Sequence, residues 1–399
     1  MTSFDPVPKG VTAPAVRWSE RERKVDDMAH RVLYYTLDGD TRRADEILDG
    51  WGMRDRIELV GCAHEPLAAP TADQLAGCSG LIGEFAPVIK DTVDEAVAAG
   101  VRVVASMSIG LNHLDLARLA DHGVVVANCP GYCAEDVAAH TVALMLDLMR
   151  KVTFSNRDVL AGGWDPKVGY EAYRTQGRTL GLVFFGSIAQ AVAPIARALG
   201  MRVLVWAPTK TAEELAAHGC ERAGTLDELL EASDVVSLHC PLIPETRGLI
   251  GARELALMKP TAYLVNTARG EIVDEDALIE ALDAGAIRAA GLDVIAHETH
   301  PDPRIIHHPR VIVTPHAAYD SVEAADNLRL MSLEAVCDVL VRGIEPARGR
   351  SGRLRRAGAL PALRADRTGD PATARARGRC RRSRRAPGYP GRCGRRRSP

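Results

Sequence analysis

From Arg31 onward, short apolar runs alternate with segments whose apolar residues recur at helical spacing. RVLYYT, IELVGC, GLIGEF, VRVVASMSIG and VVVANCPG read as strands. Between them, TRRADEILDGWG, PTADQLAGC, KDTVDEAVAAG and HLDLARLADHG read as helices, several of them stopped by glycine. Such alternation predicts a parallel, doubly wound sheet. AEDVAAHTVALMLDLMRKVTFSNRDVLAGG then predicts a long helix with a continuation. Its apolar face (Val137, Val142, Leu144, Met145, Leu148, Met149) is wide enough for burial either between domains or in a dimer interface. At Arg178 the alternation resumes. RTLGLVFFGSIAQAVAPIARALG followed by MRVLVWAPTK predicts strand, glycine-containing turn, helix and strand, the order of a dinucleotide-binding βαβ unit. CERA, DVVSLHCPL, AYLVNT, AAGLDVI and RVIVTPH supply further strands, and SVEAADNLRLMSLEAVCDVLVRG a last helix that folds back onto the first unit.

Three of these strands lead into residues able to do chemistry: Arg269 after AYLVNT, Glu298 after AAGLDVI and His316 at the end of RVIVTPH. In a parallel sheet, ligands sit at the carboxyl ends of strands. A guanidinium forks onto a carboxylate through two parallel hydrogen bonds. An imidazole gives or takes a proton near neutral pH, and a carboxylate beside it favours its charged form. Together the three would bind a 2-keto acid, polarise its carbonyl and protonate it while a hydride arrives at carbon. Singly, each has a plainer reading: a loop cap, a solvated acid, a turn residue. Their recurrence at successive strand ends favours the chemical one.

The turn after TLGLV carries Phe184, Phe185, Gly186, Ser187, Ile188 and Ala189 where a dinucleotide site has G-x-G-x-x-G. Only the middle glycine remains. Ala189 is tolerated at the last position, but Phe184 at the first costs backbone strain and brings a ring to the pyrophosphate path. Gly186 still allows close approach, and the helix start at Ser187 and Ile188 still offers amides to phosphate. At the end of the next strand, an acid commonly binds the ribose 2′-hydroxyl. Here the chain has Ala207, then Pro208, Thr209 and Lys210. No carboxylate repels a 2′-phosphate there and Lys210 could attract one, so the expected cofactor is NAD or NADP, with NADP favoured. The plainer alternative is a solvated Lys210 and NAD bound without the acid.

The segments SMSIGLNHLDL, NCPGYCAEDVAAHTVALML, RTLGLVFFGSIAQAVA, SDVVSLHCPLIPETRGLIG, LVNTARGEIVDEDALIEAL, GLDVIAHE and VTPHAA together resemble the D-isomer-specific 2-hydroxyacid dehydrogenases, from about Arg31 to Ile344. The resemblance implies an α/β protein of two doubly wound parallel-sheet domains. One is a split substrate domain, residues 30–132 and 318–345; the other is an inserted Rossmann cofactor domain, residues 133–317. It implies NAD(P)-dependent hydride transfer to a small 2-oxo acid, in a homodimer. Arg269 of TARG then looks like the binder of the substrate carboxylate, His316 of TPH like the acid/base and Glu298 like its partner. Ser108, Ile109 and Gly110 match the loop whose amides meet the substrate carboxylate. His239 and Pro241 match a cofactor-lining segment and Asp293 a binder of the nicotinamide amide; Thr267, Ala268 and Ala318 join that set. Side chains around Glu84, Phe85, Met107 and Tyr132 are left to choose among 2-oxo acids. Besides Phe184, the departures from the pattern are Ala139 where an acid is common and Thr-His-Pro after Glu298. The alternative is a dinucleotide-sensing binding protein of the same fold, like the corepressors, with little turnover.

Composition adds limits. With 46% hydrophobic and 26% charged residues among 399, the chain can build sizeable cores. No apolar run approaches a membrane span. Residues 1–29 are polar, with Pro6, Pro8 and Pro14, and predict a flexible extension without a signal core. Nine cysteines without CxxC spacing read as reduced thiols, neither a disulfide framework nor a metal site, and a cytoplasmic protein is expected. The net charge of −2 hides an asymmetry: Arg348–Pro399 holds 18 Arg, no Lys and two acids, hence +16, leaving −18 elsewhere. Residues 346–399 cannot form a core and are expected to be disordered. They are either a basic arm for nucleic acid or anionic surfaces, or frame-shifted coding sequence of a GC-rich gene. The absence of lysine and the narrow residue set favour the second, and nucleic acid is then no partner.

Overall fold

The computed structural model describes residues 29–65, 68–84, 93–111 and 113–344. Phe85, the Arg-rich stretch 346–399 and all but the last residue of the expected N-terminal extension lie outside them. Two parallel sheets carry the fold. Strands β1 His30–Thr36, β2 Ile57–Ala63, β3 Gly80–Glu84, β4 Val103–Met107 and β5 Val125–Ala127 pair in the order β2-β1-β3-β4-β5. Strands β6 Thr179–Val183, β7 Arg202–Trp206, β8 Glu221–Arg222, β9 Val235–Leu238, β10 Tyr263–Asn266, β11 Ala289–Leu292 and β12 Val311–Val313 pair in the order β12-β11-β10-β9-β6-β7-β8. Every residue of β4, β6, β9, β10 and β11 is buried, because helices cover both faces. That is why these strands read as continuous apolar runs and not as alternating ones. In each sheet the order reverses beside the first strand: β1 lies between β2 and β3, and β6 between β7 and β9. Connections diverge there, which opens a crevice at the carboxyl edge.

The helix Ala134–Arg150 buries its wide apolar face within the chain. Val142, Leu144, Met145, Leu148 and Met149 join one core with Leu180, Val205 and Tyr263. Leu144 and Leu148 lie over Gly291 of β11, where a Cβ would come within 3.3 Å and 3.2 Å of them. The expected continuation is broken. Lys151 takes a left-handed backbone (φ 60°) and a second helix starts at Val152. Asp147 causes the break: its carboxylate accepts the Thr153 amide at 2.7 Å and hydroxyl at 2.5 Å, and its carbonyl accepts the Lys151 amide. The helix Val322–Cys337 returns to the first sheet, where Leu328, Leu333 and Val336 share a core with Val32, Ile82 and Val103. Arg43 holds it there through Asp326 at 2.9 Å.

Gly270, just after β10, lies against the chain that follows β11. A Cβ built on it would fall 1.9 Å from the Ile295 carbonyl carbon. Gly270→Ala must therefore separate two strand-end loops. We expect it to cost about 2–4 kcal/mol of stability in thermal or urea melts; an unchanged midpoint would show that the loops part freely.

Candidate active site

The three outer strands of the larger sheet, β12, β11 and β10, are neighbours, so their carboxyl ends bring His316, Glu298 and Arg269 to one edge. Arg269 leaves β10 through a turn stapled by Asn266, whose side chain donates to the Arg269 carbonyl at 2.9 Å and accepts from the Ala268 amide at 3.0 Å. The guanidinium bonds its neighbour's carbonyl, Ala268 O, at 2.6 Å. It has no ion-pair partner among the described residues, so its charge stays open to an anion. On the other sheet, the run VRVVASMSIG is strand only to Met107. Ser108 breaks it: its hydroxyl donates to the Gly110 carbonyl at 2.7 Å and folds Ser108–Gly110 into a loop. Neither the Ile109 nor the Gly110 amide bonds a described acceptor. Gly110 abuts Arg269 so closely that a Cβ there would lie 3.0 Å from the guanidinium. A cation thus lies against a loop whose Ile109 and Gly110 amides have no described acceptor, an arrangement suited to a carboxylate.

His316 Nδ1 lies 3.0 Å from the Glu298 carboxylate, and the ring is half-exposed. A carboxylate can only accept, so Nδ1 carries a proton and Nε2 is left for a reacting group. His316 sits at φ 52°, a left-handed conformation costing roughly 1–2 kcal/mol for a side chain with a Cβ. Asp293 imposes it. Its carbonyl accepts the His316 amide at 2.8 Å, and its buried carboxylate accepts the Thr314 hydroxyl at 2.5 Å and the Ala317 and Ala318 amides at 3.0 Å each. Thr314 gives its proton to Asp293, so His140 Nε2, 2.9 Å from that hydroxyl, must be the donor to it. Thr267 in turn bonds Thr141 at 2.8 Å, tying β10 to the same long helix. Asn266, Thr141, His140 and Thr314 were not singled out by sequence reasoning. The signal available was a polar residue inside or next to an otherwise apolar run, which marks a buried hydrogen bond. Tyr319 adds an edge-on ring 6.0 Å from His316, and Tyr132 lies 6.5 Å from Tyr319.

The remaining expected residues lie along the same edge. Gly186 precedes the helix Ser187–Ala198, and a Cβ there would meet no atom within 4 Å, so the turn admits a phosphate close to the backbone. Phe184 does adopt a left-handed backbone (φ 70°); its ring packs edge-on to Trp206, 5.7 Å away, and on the core of β6, β9 and β10. His239 bonds Ser237 at 2.9 Å, and Pro241 is exposed beside it. Ala207 is buried and Thr209 exposed, while Lys210 is paired with Glu214 at 3.2 Å. A recess of about 330 Å³ adjoins Ala207. The described residues thus suit a dinucleotide: an open glycine turn, a helix start and a recess beside the second strand of the βαβ unit.

Two measurements probe this edge. Phe184→Gly relieves the left-handed cost that Phe184→Ala retains, and both lose the ring. The glycine variant should therefore be about 1 kcal/mol more stable than the alanine one in thermal melts, although less stable than the parent; alanine equal to or above glycine would refute the strain. Burial pushes the His239 imidazole down to about 4. It stays neutral in the fold while the unfolded chain takes a proton below about 6.5. Stability present above that pH is lost as pH falls toward 4, by about 3 kcal/mol at most. His239→Asn should flatten this part of a pH series of urea melts; an identical slope would assign it elsewhere.

A model of the family described as "D-isomer specific 2-hydroxyacid dehydrogenase, NAD binding domain" matches residues 142–318. A glyoxylate reductase of Korarchaeum cryptofilum is 38% identical over 269 residues, covering 66% of this chain and 80% of that protein. A D-3-phosphoglycerate dehydrogenase of Bacillus subtilis is 33% identical over 282 residues, 71% of this chain and 52% of its relative, so the chain spans about half that enzyme's length. The NAD-complexed crystal structure of a D-isomer specific 2-hydroxyacid dehydrogenase from Lactobacillus delbrueckii ssp. bulgaricus superposes with a TM-score of 0.65 at 28% identity, over 79% of this chain and 98% of that one. Joined to the two parallel sheets, these matches establish that the chain belongs to the D-isomer specific 2-hydroxyacid dehydrogenase family.

Proposed function

We propose that the chain is an NAD(P)-dependent 2-keto acid reductase, acting in reverse as a D-2-hydroxyacid dehydrogenase. The observation that carries the reading is Arg269, without an ion-pair partner among the described residues, against the Ser108–Gly110 loop and at the sheet edge that also bears the His316–Glu298 pair. Arg269 and the Ser108–Gly110 loop hold the substrate carboxylate, which fixes the 2-oxo group relative to His316. When bound, the reduced nicotinamide supplies the hydride. Protonated His316 donates from Nε2 to the carbonyl oxygen, and Glu298 stabilises the imidazolium until that proton leaves. In the oxidative direction the imidazole takes the hydroxyl proton back. Gly186, Ser187 and Ile188 would hold the pyrophosphate, and Ala207, Thr209 and Lys210 would flank the adenosine ribose. His239, Pro241, Thr267, Ala268 and Ala318 would line the path to the nicotinamide; the Asp293 carboxylate, expected to bind its amide, is buried and taken up by Thr314, Ala317 and Ala318, so Asp293 would act there through the turn it holds. The uncharged Ala207, where an acid would repel a 2′-phosphate, favours NADP over NAD.

A homodimer belongs to the same reading. Past the Lys151 break, Val152, Val159, Leu160 and Trp164 are 61%, 47%, 78% and 86% exposed, an apolar group suited to a second copy in a homodimer.

The test is loss of NAD(P)H absorbance with a panel of 2-oxo acids, among them glyoxylate, hydroxypyruvate, pyruvate and phosphonopyruvate. His316→Gln should lower kcat about 10²–10⁴-fold. Arg269→Ala should raise KM at least about tenfold with a smaller change in kcat. Dinucleotide binding without turnover, unaltered by either substitution, would overturn the enzyme reading.

A further inference from the structure

The recess beside Ala207 has one charged residue in its lining. Trp206, Ala207 and Pro208 contribute from the end of β7 and the residue pair after it; Arg222 contributes from β8, and Thr225 and Leu226 from the start of the helix that follows. Strand pairing places Arg222 there: it sits in register with Val205, two residues before Ala207. Arg222 makes no ion pair among the described residues. Lys210, the cation nearer in sequence, is engaged differently. Its ammonium is 3.2 Å from Glu214, and that carboxylate also accepts the Thr211 amide at 2.8 Å, so the pair closes on itself at the start of a helix. The acid that senses Arg222 is Glu213, whose carboxyl is held below its usual range by its own amide, by Thr211 and, least, by Arg222. A side chain on the neighbouring strand, not one on the loop after β7, therefore gives this recess its charge.

We infer that Arg222 reads the 2′-phosphate of NADP(H) and sets the cofactor preference of this chain. The inference rests on the oxidoreductase reading above, because it takes the recess to receive the adenosine ribose. In a dinucleotide-binding βαβ unit that ribose lies at the end of the second strand, here Ala207. A guanidinium matches two phosphate oxygens with parallel N–H donors, while a ribose hydroxyl gives it little to hold.

The experiment titrates the purified full chain with NADPH, NADH, 2′,5′-ADP and 5′-ADP and follows tryptophan quenching, which needs no turnover. The parent should bind NADPH and 2′,5′-ADP more tightly than their unphosphorylated counterparts. Arg222→Ala should weaken those two about 10–100-fold, the usual worth of charge-assisted hydrogen bonds. NADH affinity should move less than about twofold, which also shows that the variant is folded. Arg222→Lys should recover part of the loss, and Lys210→Ala should change the ratio by less than Arg222→Ala does. Equal weakening of both cofactors, or a ratio governed by Lys210 alone, would overturn the role of Arg222 and leave the oxidoreductase reading standing. Failure of every dinucleotide to bind would overturn both.

Discussion

A single buried carboxylate holds the chemistry of this fold in place. Asp293 follows β11, and its acceptors take the Thr314 hydroxyl and the amides of Ala317 and Ala318. Burying an ionised acid is costly unless hydrogen bonds replace its water. Here they come from one turn, the turn that carries His316. The same bonds that make the acid tolerable force His316 into its left-handed conformation and point its ring at Glu298. His140, reaching from the long helix to Thr314, extends the network to the core of the larger sheet. The imidazole is thus oriented by the fold and not by its own rotamer freedom, which is what a proton-transferring group needs.

Much of this was legible in the chain, for a physical reason. A parallel sheet buried on both faces produces unbroken apolar runs, and a polar residue that closes such a run stands at the ligand-bearing edge. Arg269, Glu298 and His316 stand just past such runs and follow from that rule, whereas Asp293, inside AAGLDVI, enters only through the family resemblance. The two sheets followed from the same runs, since only covered parallel strands tolerate such sequences. The limits were local and equally physical. Nothing in MRKVTFS announces that Asp147 captures Thr153 and breaks a helix, because the competing bond is made by a side chain. VRVVASMSIG is β-prone throughout, yet Ser108 turns it out of the sheet by bonding its hydroxyl to Gly110. CERA placed Arg222 on a strand, but nothing local said which strand it would pair with. Its position depends on a two-residue strand pairing with β7, a contact that sequence spacing does not encode. Lys210 looked like the cation of that region, and its engagement with Glu214 appears only once Thr211 starts a helix.

Two aromatic choices complete the cofactor edge. Phe184 occupies a backbone state suited to glycine, and packing on Trp206 offsets the cost, since such ring pairs contribute about 0.5–1.5 kcal/mol beyond burial. Trp206 also walls the recess that Arg222 enters. The departure from the usual glycine turn and the replacement of the usual ribose acid therefore meet at one indole.

The contact between Gly270 and Ile295 has a mechanical consequence. Arg269 sits immediately before the first residue, and Glu298 three residues beyond the second. The two backbones approach with no room for even a methyl group between them, so neither loop can advance toward the other without displacing it.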